Sequence, residues 1–156
     1  MDDNSPQPIP ETTYPGPTLT TAHIHQLFRL LELDCMLHEE GVMTFLDHES
    51  GCRIAVLLRG VDDDQERIMS MQLRTGFANS RVLEVGHVNA WNRKYRWCRA
   101  YLDGDGDASL EMDIPITADF PDLLRRQVEG YIDSVRCFDN AMRALVHFAP
   151  PPERGG

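Results

Sequence analysis

The chain has 156 residues, with 15 basic against 25 acidic side chains and a formal net charge of -10. One core suffices at this length, so no second domain is needed. The acidic surplus opposes nonspecific attraction to nucleic acid or anionic lipid. The N-terminus shows no export signal and no apolar run is long enough to cross a bilayer, so the expected compartment is the cytoplasm.

Cys35, Cys52, Cys98 and Cys137 include no close pair, which excludes a zinc knuckle or a thioredoxin-type couple. They are expected as free thiols, with Cys98 in a strand and Cys137 in a helix acting as small hydrophobes. Residues 1–18 hold five of the ten prolines, and 149–156 repeat that composition with Pro150, Pro151 and Pro152. Both are expected to be disordered tails around a structured domain at 19–148.

Thr20 or Thr21 can cap a first helix in which Ile24, Leu27, Phe28 and Leu31 share a face, ending near Asp34. His23 and His25 are two residues apart and diverge, which makes them surface histidines rather than metal ligands. Strand patterns follow at Val42–Asp47, Cys52–Arg59 and Glu66–Thr75, the first two joined by a polar loop ending in Gly51. In the third, Met69, Met71 and Leu73 alternate with Ser70, Gln72 and Arg74, which assigns the methionines to the core. Asp62, Asp63 and Asp64 between these strands read as a solvated turn, since consecutive carboxylates diverge.

After Asn79 a helical pattern carries Val82, Val85, Val88, Trp91 and Tyr95 along one side, with Trp91 expected to be buried. Arg93, Lys94 and Arg96 suit the negative end of its dipole. Asn89 and Asn92 are poor helix formers, which points to side-chain bonds to nearby backbone or to a ligand. Two strands follow, at Trp97–Asp103 and Asp107–Ile114. Only a three-residue loop of Gly104, Asp105 and Gly106 pairs apolar face with apolar face, with Gly106 in the left-handed position. That register sets Arg99 opposite Glu111 and Trp97 opposite Asp113. Asp103, Asp105 and Asp107 imitate a calcium loop, but Ala108 and Ile114 stand where its glycine and bidentate glutamate are required.

A last helix begins near Asp119, and Leu124, Val128, Tyr131, Val135, Phe138, Met142 and Leu145 advance by alternating fours and threes. At about 40 Å it is longer than short strands cover, so part of it is expected to meet another subunit. The predicted class is α+β, an antiparallel sheet with flanking helices in the order α-β-β-β-α-β-β-α.

The run from Asn89 to Ile114, NAWNRKYRWCRAYLDGDGDASLEMDI, combines an Asn-x-Trp-Asn-Arg helix end, an aromatic and arginine-rich strand, a glycine-containing acidic turn and a strand ending in acid. It resembles the signature of the YbjN family of bacterial proteins, described as sensory transduction regulators. The resemblance implies a fold similar to type III secretion chaperones, frequently a homodimer, with no catalytic residues. The hairpin register assigns Trp91, Trp97, Arg99, Tyr101, Gly106, Glu111 and Asp113 to a structural signature that holds a helix against a hairpin, and leaves Asn89, Asn92, Arg93 and Arg96 at the corner for a partner.

The leading expectation is a non-enzymatic, chaperone-like adaptor that binds a signalling or stress-response protein, without cofactor or metal. Single-stranded nucleic-acid binding by Arg93, Lys94, Arg96 and Arg99, with Trp97 and Tyr101 as stacking surfaces, is an alternative opposed by the net charge. A small-molecule sensor using Asn89, Asn92, Arg96 and Glu111 is another, although no nucleophile or acid–base pair accompanies those residues.

Overall fold

Alternation of apolar and polar residues becomes strand at two places with the bounds read from sequence, Val42–Asp47 (β2) and Cys52–Arg59 (β3). A computed structural model describes residues 19–39, 41–60, 68–78 and 82–148. The other elements are α1 (Thr21–Leu30), β1 (Met36–Glu39), β4 (Ser70–Phe77), α2 (Val85–Lys94), β5 (Arg99–Leu102), β6 (Ala108–Pro115) and α3 (Phe120–Phe148). The strands form one six-stranded sheet in the order β1-β2-β3-β4-β6-β5. Every neighbouring pair is antiparallel. The class is α+β, as expected. From β4 the chain crosses through α2 to lay β5 on the far edge, then returns as β6 between them.

Several boundaries differ from the sequence reading. The first helix stops at Leu30 because Glu32 takes a left-handed conformation, φ 62°. Glu32 N–H donates to the Arg29 carbonyl at 3.0 Å and Leu33 N–H to that of Phe28 at 3.3 Å, a Schellman closure with Glu where Gly is usual. The chain freed by this stop forms β1, an edge strand absent from the sequence reading. All four of its residues are exposed, so it carries no alternation to detect. The third strand runs to Phe77 because β6 continues to pair with it through Gly76 opposite Ser109 and Phe77 opposite Ala108. Residues 61–67, including the acidic turn, lie outside the described residues, as do 1–18 and 149–156.

One sheet face is apolar. Across it run the rows Met43, Val56, Leu73, Met112 and Phe45, Ile54, Thr75, Leu110, Ala100. The seam of α3 lies on this face, and Leu124, Val128, Tyr131, Val135, Phe138 and Met142 are all buried. Each such side chain contributes about 1.5–3 kcal/mol by leaving water. Ile24 and Phe28 of α1 close one end of the core, Phe28 against Phe45 with ring centroids 5.8 Å apart.

Two polar contacts orient α3 on this surface. The Tyr131 hydroxyl donates to the Leu110 carbonyl at 2.7 Å and lies 3.1 Å from Thr75 Oγ1. Burial holds its phenol proton far above the usual range, so it remains a donor. One turn further on, Arg136 grips Asp47 with both arms of its guanidinium, at 2.6 and 3.0 Å, and reaches Glu49 at 2.7 Å. Asp47 ends β2 on the covered face, where Ser50 also donates to its carboxylate from backbone and hydroxyl.

The Arg136 guanidinium, against the opposing effect of burial and with help from Ser50, holds the Asp47 carboxyl well below the usual carboxylate range. A depressed carboxylate contributes stability that is complete above its unfolded-state pKa, about 3.9, and is lost as pH falls through its lower folded value. Urea denaturation at a series of pH values should therefore find Asp47→Asn less stable than wild type at pH 7. That deficit should shrink as pH drops from about 5 towards 2; a deficit independent of pH would show that ionisation of Asp47 is not its source.

Candidate functional site

Glu84 caps the start of α2, and its N–H donates to His87 Nδ1 at 3.0 Å, as the Thr20 N–H does to His23 Nδ1 at 3.3 Å before α1. His25 is likewise engaged, its Nε2 2.8 Å from the Cys35 carbonyl. Val88 and Trp91 form the buried side of α2, Trp91 as expected. Val85, read from sequence as part of that side, is instead 65% exposed because the helix begins with it, and Val82 precedes the helix.

Trp91 is the hinge of an aromatic chain. Tyr95 stacks on it at 4.0 Å, and it meets Phe138 of α3 edge-on at 4.8 Å. Phe138 in turn packs on Phe77 of β4 at 4.9 Å. Such offset and edge contacts add about 0.5–1.5 kcal/mol each to simple burial. The late part of the α3 seam is thus covered by α2 of the same chain. Met142 is buried without a second subunit.

Asn92 faces the other way, onto the sheet edge. Its Nδ2 donates to the Ala100 carbonyl at 2.9 Å, while its Oδ1 accepts the Ala100 N–H at 2.8 Å. One carboxamide thereby supplies both bonds that a further strand would make to Ala100. The expected bond to backbone is present, and it caps the β5 edge. Asn89, Arg93 and Arg96 remain exposed beside it. Among the described residues neither arginine has an ion-pair partner.

The β5–β6 hairpin has the expected register, Arg99 opposite Glu111 and Leu102 opposite Ala108. Gly106 is left-handed at φ 82°, and its N–H closes the turn on the Asp103 carbonyl at 3.1 Å. Asp103 Oδ1 accepts the N–H groups of Asp105 and Asp107 at 3.0 and 2.9 Å, so this carboxylate orders its own loop. On the sheet's open face Glu111 gathers Arg99 at 3.1 Å, the Tyr101 hydroxyl at 2.8 Å and Arg74 at 3.7 Å.

Trp97 departs from its expected place. The strand begins only at Arg99, so Trp97 has no cross-strand partner and is 84% exposed. Asp113 instead pairs with β4, accepting from Gln72 Nε2 at 2.9 Å. The Asn92 clamp on Ala100 explains the shortened strand, because α2 lies against the edge and the chain must bend away from it. Cys137, expected as a small buried hydrophobe, is exposed, with its Sγ 3.5 Å from the Tyr95 hydroxyl. Cys35 and Cys98 are buried, and burial pushes the Cys35 thiol up to about 11, with nearby Asp34 adding to it.

Between α2 and the last turns of α3 lies an apolar groove of about 480 Å³, which sequence reading missed. Its walls are Val88, Trp91 and Tyr95 on one side and Phe138, Met142 and Leu145 on the other. The signal was present in two halves, the seam of α3 and the aromatics of α2, but nothing local joined them. Trp91 Nε1 is buried at this junction and has no hydrogen-bond partner among the described residues. No three His, Cys, Asp or Glu side chains among the described residues come together as a metal would require.

Truncating Asn92 leaves a donor and an acceptor of Ala100 unpaired in a residue only 2% exposed. Asn92→Ala should therefore lower the unfolding free energy by about 2–3 kcal/mol, and Asn92→Asp, which sets a carboxylate oxygen against the Ala100 carbonyl, by at least as much. Equilibrium denaturation checks both; a loss under about 0.5 kcal/mol for Asn92→Ala would mean that water replaces the carboxamide without cost.

Comparison with curated proteins gives no match. No described helix is long and apolar enough to cross a membrane. A family model described as "Putative bacterial sensory transduction regulator" matches residues 21–144, from the start of α1 nearly to the end of α3. The match takes in the helix end, the edge clamp and the hairpin together, and the chain belongs to the YbjN family.

Proposed function

We propose that the chain is a regulator that acts by binding another protein, as a chaperone-like adaptor in the cytoplasm, through the corner formed by Asn89, Asn92, Arg93 and Arg96. The observation that carries this reading is the pairing of unspent chemistry with a rigid mount. Arg93 and Arg96 lack ion-pair partners among the described residues, and Arg96 is followed directly by a tryptophan that is 84% exposed. Arg and Trp are the side chains most enriched among residues that dominate binding energy at protein interfaces. Asn92 holds that corner against the sheet through Ala100, so the contact surface is preorganised.

The family's description as a regulator agrees with this role. A homodimer belongs to the same reading. The edge strand β1 leaves Met36 64% and Leu37 46% exposed, and such an edge is a template for pairing with another copy.

Affinity capture from the native cell extract tests the reading, with wild-type chain and the variant Arg93→Ala/Arg96→Ala/Trp97→Ala in parallel. A reproducible partner should be retained by wild type and reduced at least tenfold by the variant, whose fold is checked by circular dichroism. Light scattering on the same wild-type sample should give about twice the 17.8 kDa chain mass. Equal recovery by both chains would remove the corner from the account, and a monomeric mass would remove the dimer.

A further inference from the structure

The α2–α3 groove is a second surface, distinct from the corner residues, and its chemistry specifies an occupant. Its lining is almost wholly apolar, with His87 and Lys94 at the α2 rim. Lys94 Nζ stands 5.0 Å from the Tyr95 ring centroid. Lys94 carries the one formal charge among the described lining residues, none of which is acidic, in a molecule of net charge -10. The α3 wall adds no charge, because its lining residues are Cys137, Phe138, Ala141, Met142, Ala144 and Leu145.

Both walls are helices, so their backbone groups are already bonded internally and offer no edge to an extended peptide. An occupant must satisfy its own backbone, which a helix does. Ala90, Ala141 and Ala144 line the groove and are exposed, so a third helix axis can approach α2 and α3 closely.

We propose that this groove receives an amphipathic helix of a partner protein, with aliphatic side chains at i, i+3 or i+4 and i+7 and with acidic residues along the flank that meets Lys94. The proposal rests on the reading of the chain as a protein-binding regulator and specifies what it binds. A nucleic acid shares the negative charge but has no apolar stripe for the groove, and the net charge of the chain repels it.

The chain carries two tryptophans, so Trp97→Phe leaves Trp91, in the groove, as the sole reporter. Its emission is followed while adding a synthetic 18-residue helical peptide with leucines in that spacing and glutamates on the flanks. The same peptide with lysine for each glutamate, and an 18-nucleotide oligothymidine, are titrated in parallel. The glutamate peptide should give a saturable change and bind at least tenfold more tightly than the lysine peptide.

Lys94→Glu should reverse that order, and Ala141→Phe, which fills the groove from an exposed helix position, should abolish binding of the glutamate peptide. No preference between the peptides, binding unaffected by Ala141→Phe, or saturation by the oligonucleotide instead would overturn the proposal. Lys94→Glu and Ala141→Phe touch none of Asn89, Asn92, Arg93, Arg96 or Trp97, and partner capture by the corner is read on chains that keep Trp97. A groove that fails here while the corner still captures its partner would leave the regulator reading intact.

Discussion

The structure turns on a sheet with one apolar face and a single long helix to cover it. Six strands at about 4.8 Å spacing span about 24 Å, and an eight-residue strand is about 27 Å long. The 29 residues of α3 extend about 43 Å. The helix therefore outruns the sheet in either direction, and its seam stays apolar as far as Met142 and Leu145. Tyr131 and Arg136 set its position, the first by bonding Leu110 and Thr75 in mid-sheet, the second by gripping Asp47 at the end of β2. What projects beyond must find another cover.

That cover is α2, and this explains why a short helix with two asparagines persists there. Alone, ten residues with a weak apolar face would not hold a helix in water. Trp91 attaches it to Phe138 on one side and Asn92 attaches it to Ala100 on the other. The second attachment also ends the sheet, since β5 would otherwise offer an open edge for aggregation. Function follows from the same placement. A helix clamped on both flanks presents its remaining surface rigidly, with a cationic corner along one side and an apolar groove along the other.

Much of this was legible in the sequence where the signal was periodic or forced by pairing. The seam of α3, the bounds of β2 and β3, and the hairpin register with Arg99 opposite Glu111 all follow from faces that must agree. What escaped was set by contacts distant in sequence. Strand β1 has no apolar alternation because it is an exposed edge, and it exists only because Glu32 stops α1. Arg136 and Asp47 are 89 residues apart, so nothing local announces their pairing. Trp97 looked like a strand residue by alternation, but it lies two residues before the strand that Asn92 clamps at Ala100. The groove likewise needed two helices to meet.

The central claim is that Asn92 serves as the missing strand partner of Ala100 and so turns α2 into a fixed platform. Native-state hydrogen exchange of the Ala100 amide tests it directly. If the claim holds, this edge-strand amide exchanges as slowly as amides in the middle of β4 and β6, requiring the same global opening. If it exchanges at the rate of an exposed loop amide while β4 and β6 stay protected, α2 is detached in solution and the account of the corner and the groove fails.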